Sequence, residues 1–246
     1  MITTRQLTAM FIAAATAITM AGCGTTDPQA PLITTPKVGS SYTFENYQKD
    51  STGHLNQSTK TVSTSSVTSV NTAVLGKTDV VRMMEGVDTI DLHFQSNGDV
   101  DMRQPALILP SPALPYINIP SRWVVLPYGS KALTTIPGMD TTISIPMVPL
   151  PIAVKATGNV VYIGTGDLKV GANTVATQKA LMTVNVSFNA LLLNGTVVST
   201  DTLWFAPKLG MIVKDDGLQQ GNLPAQLGGN GILGGTYRIL TDFSLK

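Results

Sequence analysis

The sequence predicts an all-β fold, in which one domain is a single antiparallel sheet of roughly ten strands. Only 13% of the residues are charged, while Thr, Ser, Val and Gly are abundant, a balance that favours strands over helices. Long stretches alternate apolar with polar side chains, and hardly any stretch has the 3.6-residue spacing of an amphipathic helix. Residues 39–246 are numerous enough to bury one large core, and no shift in composition divides them.

The first residues have the pattern of a secretory signal. Arg5 precedes an apolar run from Leu7 to Met20, which is followed by Ala21, Gly22 and Cys23. The run is shorter than the about 20 apolar residues that span a bilayer, which favours a cleaved signal over a transmembrane anchor. An ordinary secretory signal with a chance cysteine is the remaining alternative. Since the chain has only this one cysteine, no intrachain disulfide is expected.

The residues Met20 to Cys23 resemble the lipid-attachment motif of bacterial lipoproteins, in which Leu is usual at the position of Met20. The resemblance implies that residues 1–22 are removed, that Cys23 receives a diacylglycerol and that the new amino terminus is acylated. Several acyl chains together anchor a protein firmly. Thr25 stands where the family's sorting rule reads Asp as retention in the inner membrane. The resemblance therefore implies a lipid anchor in the outer membrane, with the protein facing the periplasm.

The mature chain is close to neutral. Removal of Arg5 from the 16 basic residues leaves 15 to balance 15 acidic ones. A neutral surface argues against nucleic acid as a partner, because such binding needs a basic patch that releases counterions. Residues 23–38 are rich in Thr and Pro and have no apolar period, which predicts an extended tether between the lipid and the folded domain.

The first predicted strands begin at Ser41. Tyr42 and Phe44 alternate with polar neighbours, and a Ser/Thr/Val run then covers Thr59 to Leu75. The valines of this run change strand phase, which predicts a bulge or an edge position. The alternative for the run is a disordered Ser/Thr linker.

Residues 89–103 predict a hairpin. Asn97 and Gly98 mark the turn, and a three-residue loop places Phe94 opposite Val100 and Leu92 opposite Met102, which keeps apolar with apolar. The same register places His93 opposite Asp101 and Asp91 opposite Arg103 on the other face. His93 and Asp101 are either an acid/base dyad or, the interpretation we favour, a solvent-facing cross-strand pair.

The segment from Pro105 to Pro151 holds many of the 15 prolines. Because proline cannot lie in a central strand, the segment is predicted to form an edge or an excursion outside the main sheet. Its aliphatic and aromatic residues have to cover an apolar surface. We expect a proline-rich flap that either covers the core or acts as a mobile lid over an apolar cavity.

Longer strands follow from Ile152 onward. Between Ala180 and Leu192, every second residue is apolar, which predicts one buried face. In the closing strand, Tyr237, Ile239 and Phe243 are predicted to share a face, with Arg238 on the other.

The residues Trp204 to Lys214 resemble a hairpin found near the end of many uncharacterised bacterial envelope lipoproteins: Trp-aromatic-Ala-Pro, two variable residues, Gly and a Val-Lys end. The resemblance implies a strongly curved antiparallel sheet, a half-barrel or open barrel similar to that of lipoprotein carriers. Pro207 and Gly210 are expected to form the turn. Trp204, Met211 and Val213 are expected to pack on the concave side.

These features favour a non-enzymatic binding or carrier protein for an apolar ligand such as a lipid or acyl chain. The expected cavity is lined by Trp123, Val184, Val186, Phe188, Trp204 and Phe243. A structural partner of other envelope proteins, which pairs through an open β edge, is the alternative. No catalytic residues, metal site or cofactor are predicted, because the chain has two histidines, no nucleophile elbow and no metal-ligand spacing.

Overall fold

The computed structural model describes residues 32–104, 121–143, 152–190, 193–223 and 229–246. These residues form one antiparallel sheet of 12 strands. The strands are β1 (Ser41–Lys49), β2 (Leu55–Val74), β3 (Lys77–Glu85), β4 (Asp88–Phe94), β5 (Val100–Gln104), β6 (Arg122–Leu126), β7 (Thr134–Ile143), β8 (Ile152–Val170), β9 (Asn173–Ala190), β10 (Leu193–Ala206), β11 (Met211–Asn222) and β12 (Asn230–Ser244). The predicted all-β fold is confirmed, with more strands than expected. None of the described segments is a helix long and apolar enough to cross a membrane.

The sheet curves until it nearly closes into a barrel. Strands that are consecutive in sequence pair with each other, except for β6 and β7, and β1 pairs with β12, so β6 and β7 are the two ends of the strand order. Across the seam between them, Thr134 Oγ1 donates a hydrogen bond to the carbonyl oxygen of Val125 at 2.8 Å. The Arg122 guanidinium donates another to the carbonyl oxygen of Pro137. Side chains rather than a backbone ladder therefore join β6 to β7 in the described residues.

The predicted edge position of the proline-rich region is confirmed for its described part, since β6 and β7 are both edge strands. The remainder of the predicted flap, residues 105–120 and 144–151, lies outside the described residues. Cys23 and the tether up to residue 31 also lie outside them.

Four aromatic residues close one end of the barrel, which we call the lower end: the end where the chain begins β1 and leaves β12. The ring of Phe205 stacks on Tyr128 at 5.2 Å between centroids and lies 6.1 Å from the ring of Phe94. Tyr42 donates a hydrogen bond to the carbonyl oxygen of Leu209 at 2.8 Å. Because β4 and β10 lie in opposite walls, these contacts fill the barrel from wall to wall. We call Tyr42, Phe94, Tyr128 and Phe205 the aromatic plug.

The turns at the lower end are bound to one another. Asp99 Oδ1 accepts hydrogen bonds from the backbone N–H groups of Gly129 at 2.9 Å and Ser130 at 2.8 Å. This contact leaves no space for a side chain at residue 129, because a Cβ on Gly129 would lie 1.8 Å from the carbonyl oxygen of Asn97. The turn that leads into β7 is therefore fixed to the β4–β5 turn, which holds the two sides of the seam together at this end.

The predicted hairpin register is confirmed. Leu92 pairs with Met102, His93 with Asp101 and Phe94 with Val100. Gly98 has a φ of 86°, the left-handed conformation that a three-residue loop needs at this position.

Candidate binding site in the barrel interior

The inner face of the barrel follows from the aromatic plug. Strand alternation from Phe205 places Leu203, Asp201, Ser199 and Val197 on the inner face of β10. Residues that lie directly opposite one another on paired strands share a face.

Asp215 lies opposite Leu203, Arg238 lies opposite Asp215, and Asn46 lies opposite Arg238. All three side chains therefore point into the barrel. The same pairings identify the other side chains that line the interior above the aromatic plug. The two sides of this interior differ in polarity.

One side of the interior is apolar. Val186 lies opposite both Val197 and Ala156, and Phe188 lies opposite Val154. Every member of this set is at most 7% exposed. We call it the apolar wall: Ile152, Val154, Ala156, Val184, Val186, Phe188 and Val197.

The structure divides the predicted cavity residues between the two faces. Val184, Val186 and Phe188 belong to the apolar wall. Phe243 lies opposite Tyr42, on the inner face at the lower end. Trp123 and Trp204 lie on the outer face, so they do not line the interior.

The outer position of Trp204 follows from its neighbours. Trp204 lies opposite Lys179 on one side and Lys214 on the other, and the Lys214 Nζ is 4.0 Å from the centroid of the indole ring. The Nζ of Lys77 similarly lies 5.7 Å from the ring centroid of Trp123. An indole ring is favourably placed under an ammonium group because its π face is negative. The two tryptophans, which were expected to pack on the concave side, thus contact lysines on the outer surface instead. Met211 and Val213, which were also expected on the concave side, are buried.

The other side of the interior is polar, and we call it the polar wall: Asn46, Ser63, Ser65, Glu85, Ser199, Asp201, Asp215, Thr236 and Arg238. Its central ion pair joins Glu85 and Arg238, and Arg238 also donates a hydrogen bond to Ser65 Oγ at 3.0 Å. Burial raises the pKa of Glu85. Hydrogen bonds from Ser65 and Ser63 and the charge of Arg238 outweigh burial, so the net effect is a lowered pKa. Glu85 and Arg238 therefore neutralise each other.

Two further carboxyl groups of the polar wall are not neutralised in this way. The pKa of Asp215 is raised to about 7, first by burial and then by the charge of Asp201, while the charge of Arg238 acts in the opposite direction. Burial also raises the pKa of Asp201, whose carboxylate accepts a hydrogen bond from Ser199 Oγ at 3.1 Å. No hydrogen-bond partner for Asp215 Oδ1 lies among the described residues, although this atom is sealed from solvent.

The interior on this side is open to solvent. Barrels of about eight strands are just wide enough for side chains to fill, and wider barrels enclose space. The inward side chains of Arg238 and Glu85 are still 25% and 18% exposed. Thr236, which also points inward, is exposed, and so is Gln48 opposite it. Solvent therefore reaches the polar wall from the upper end of the barrel, while the apolar wall is buried in this state.

A second charged cluster lies on the outer face of β3 to β5. His93 Nδ1 is 2.7 Å from Asp101 Oδ2, and the Lys77 Nζ lies 2.8 Å from the same oxygen. The prediction that this pair faces solvent is therefore wrong for Asp101, whose side chain is fully buried. Lys77, Gln95 and His93 together cover it. Asp91 forms the expected ion pair with Arg103 at 2.7 Å.

Sequence reasoning did not identify the polar wall. Asp215 and Asp216 are adjacent in a strand that has neighbours on both sides, so alternation requires one of the two carboxylates to point inward. That signal was present in the sequence. The sequence pattern assigned Arg238 to the wrong face. Thr43 pairs with Asp242 and Phe44 pairs with Leu240, so Thr241 is an extra residue of β12. Such a β-bulge shifts the alternation of the strand by one residue.

Within the described segments, no group of three or more His, Cys, Asp or Glu side chains is arranged to hold a metal ion. Comparisons of the chain with protein-family models, with curated proteins and with solved structures give no significant match.

Proposed function

We propose that this protein is a lipid-anchored, non-enzymatic binding or carrier protein of the bacterial envelope, which holds an apolar ligand such as a lipid or acyl chain inside the barrel. One observation carries the proposal: the interior above the aromatic plug has an apolar wall on one side and a solvent-reached polar wall on the other. A site of this kind matches a molecule with an aliphatic chain and a polar head.

The aromatic plug gives the proposed site a closed floor. The upper end is the remaining route for a ligand along the barrel axis, and the exposed Thr236 and Gln48 lie there. Since the apolar wall is buried in this state, uptake requires the groups that cover it to move aside. The proline-rich flap predicted from the sequence fits this role in the proposal.

Replacement of Val186 by Trp tests the interior site. We expect Val186→Trp to abolish binding of an apolar fluorescent probe while the protein remains folded, because the indole ring occupies the volume that the probe needs. The measurement is a probe titration together with urea denaturation. Ser187→Trp is the matched control, since Ser187 is the next residue, is exposed and points outward.

A filled core predicts a different result for the same variant. Overpacking of a closed core typically costs about 1–3 kcal/mol and can prevent folding. If Val186→Trp is strongly destabilised and the unmodified protein binds no probe, the carrier proposal is wrong.

The lipid anchor of the proposal rests on the sequence. Cys23→Ser removes the sulfur that would carry the diacylglycerol, so we expect the variant to leave the membrane fraction and to incorporate no fatty-acid label. The measurement is membrane fractionation with metabolic labelling. A variant that stays in the membrane fraction and is labelled as before would show that the anchor is assigned to the wrong residue.

A structural or assembly role through an open β edge is the second candidate, and the seam favours it. The edge strands β6 and β7 have backbone groups that no described ladder pairs across the seam, and an extended segment of a partner can pair with such an edge. Cross-linking at Thr135, an exposed residue of β7, distinguishes the two candidates. A structural protein yields a specific protein adduct in cells, whereas a carrier yields binding of the apolar probe.

A further inference from the structure

The polar wall carries an excess of negative charge. Of its four ionisable groups, Arg238 and Glu85 form an ion pair with each other. Asp201 and Asp215 are left without a cationic partner in the interior. Asp216, the next residue of β11, differs in this respect, because it points outward and forms an ion pair with Lys49.

The two interior carboxyl groups converge. Leu203 lies opposite Asp215, and Asp201 lies opposite Gly217, so the two aspartates are diagonal neighbours, whose separation is about 7–8 Å in a sheet. Asp201 leans over Gly217, because a Cβ on this glycine would lie 2.4 Å from Asp201 Oδ1. The lack of a side chain at residue 217 thus lets the Asp201 carboxyl group lie over β11, the strand of Asp215.

Three of the cations and donors near this pair, those of Arg238, Tyr128 and Lys49, are engaged elsewhere. The Arg238 guanidinium lies over the Phe44 ring, 3.8 Å from its centroid, and binds Glu85 and Ser65. The Tyr128 hydroxyl donates to the carbonyl oxygen of Leu203 at 3.3 Å. Lys49 binds Asp216. Asp215 Oδ1 is consequently a buried acceptor for which the described part of the chain supplies no donor, and such an acceptor is costly to leave unpaired.

We infer that Asp201 and Asp215 bind the ammonium group of an amphiphilic ligand, whose aliphatic chain lies along the apolar wall. An ammonium group has three N–H donors and a positive charge, so one such group can satisfy Asp215 Oδ1 and Asp201 together. Met182 lies opposite Asp201, and Val184 lies opposite Ser199, so a head group at the two aspartates is adjacent to the start of the apolar wall. The inference rests on the proposed function and names the ligand class.

The test compares three ligands that share one chain: dodecylammonium, dodecanol and dodecanoate. Isothermal titration calorimetry of the full-length protein at about pH 8 keeps Asp215 ionised, since its pKa lies near 7. We expect dodecylammonium to bind at least about tenfold more tightly than dodecanol, a ratio typical of a charge-assisted contact, and dodecanoate to bind most weakly.

Two isosteric variants locate the contact. Asp215→Asn should weaken dodecylammonium binding at least about tenfold and so reduce its preference over dodecanol, because the charged head group loses its ionic partner. Asp216→Asn is the matched control and should change neither, since this carboxylate faces outward. Urea denaturation shows separately that the Asp215→Asn variant is folded.

The failures of the two proposals are distinguishable. If dodecylammonium and dodecanol bind equally well, or if Asp216→Asn has the same effect as Asp215→Asn, the ammonium site is wrong and the carrier proposal stands. If none of the three ligands binds, both proposals are wrong.

Discussion

Replacement of Phe205 by Ala should lower the free energy of unfolding by about 3–5 kcal/mol, the range for large-to-small changes at well-packed core positions. Phe205 is fully buried, and its ring contacts Tyr128 and Phe94 at centroid distances of 5.2 and 6.1 Å. These contacts join the two walls of the barrel. Removal of the ring leaves a cavity between walls that the backbone ladders keep apart. Urea denaturation of the purified protein measures the loss.

Trp204→Ala is the control, because Trp204 is the adjacent residue and a larger side chain. Its ring lies on the outer face beside Lys214 and Lys179 and is only half-buried. We expect a loss of less than about 2 kcal/mol, since exposed cation–π pairs contribute about 0.5–1 kcal/mol each. If Trp204→Ala costs more than Phe205→Ala, the inner and outer faces of β10 have been assigned the wrong way round.

The contrast between these two residues shows where sequence reasoning succeeds. The β4–β5 hairpin was predicted to the residue, because a left-handed glycine fixes the loop at Gly98 and apolar pairing then fixes the register. In β10, alternation correctly separates Leu203 and Phe205 from Trp204. The error was to assume that the largest apolar ring points inward, whereas two lysines provide it with contacts on the outside.

The polar wall shows why the rest was not predicted. Charged residues are mostly exposed, so a pattern-based analysis places Arg238 and Asp215 outside by default. Only the pairing of the first strand with the last, β1 with β12, brings Glu85, Ser65 and Arg238 together. Their separation along the sequence reaches 173 residues between Ser65 and Arg238, and no local pattern carries that information.

The apolar wall was predicted in part. Alternation in β9 correctly predicted that Val184, Val186 and Phe188 share one face. It could not predict what they face, because a closed core and the wall of a binding site require the same apolar pattern. The polar residues across the barrel carry the distinction, and they belong to strands that are remote in the sequence.

Replacement of Asp215 by Asn should stabilise the protein at neutral and higher pH. In the folded protein, the pKa of Asp215 is raised from 3.8 to about 7. Below about pH 4 the carboxyl group is protonated in both the folded and the unfolded state, and it causes no pH dependence. Between about pH 4 and 7 the unfolded state releases the proton while the folded state retains it, so stability falls as the pH rises. Above about pH 7 the whole penalty is present.

One unit of pKa corresponds to about 1.36 kcal/mol, so this shift corresponds to a penalty on the order of 4 kcal/mol at pH 8. An asparagine cannot ionise and has nearly the same shape. We therefore expect Asp215→Asn to raise the free energy of unfolding by a few kcal/mol at about pH 8 and to differ little from the unmodified protein at about pH 4. Urea denaturation across this pH range measures both quantities.

Asp216→Asn provides the matched comparison, because the outward Asp216 is ion-paired with Lys49. It should retain most of the pH dependence, because the charge of Asp216 is only a minor cause of the raised pKa of Asp215, and it should lower stability, because Lys49 loses its ionic partner. If Asp215→Asn is less stable than the unmodified protein at pH 8, the carboxylate is stabilising rather than costly, and the raised pKa is wrong.

The penalty for the buried Asp215 carboxylate also affects ligand binding. A bound ammonium group relieves this penalty, so dodecylammonium should increase the unfolding midpoint more at pH 8 than at pH 4. The Asp215→Asn variant should lose that difference.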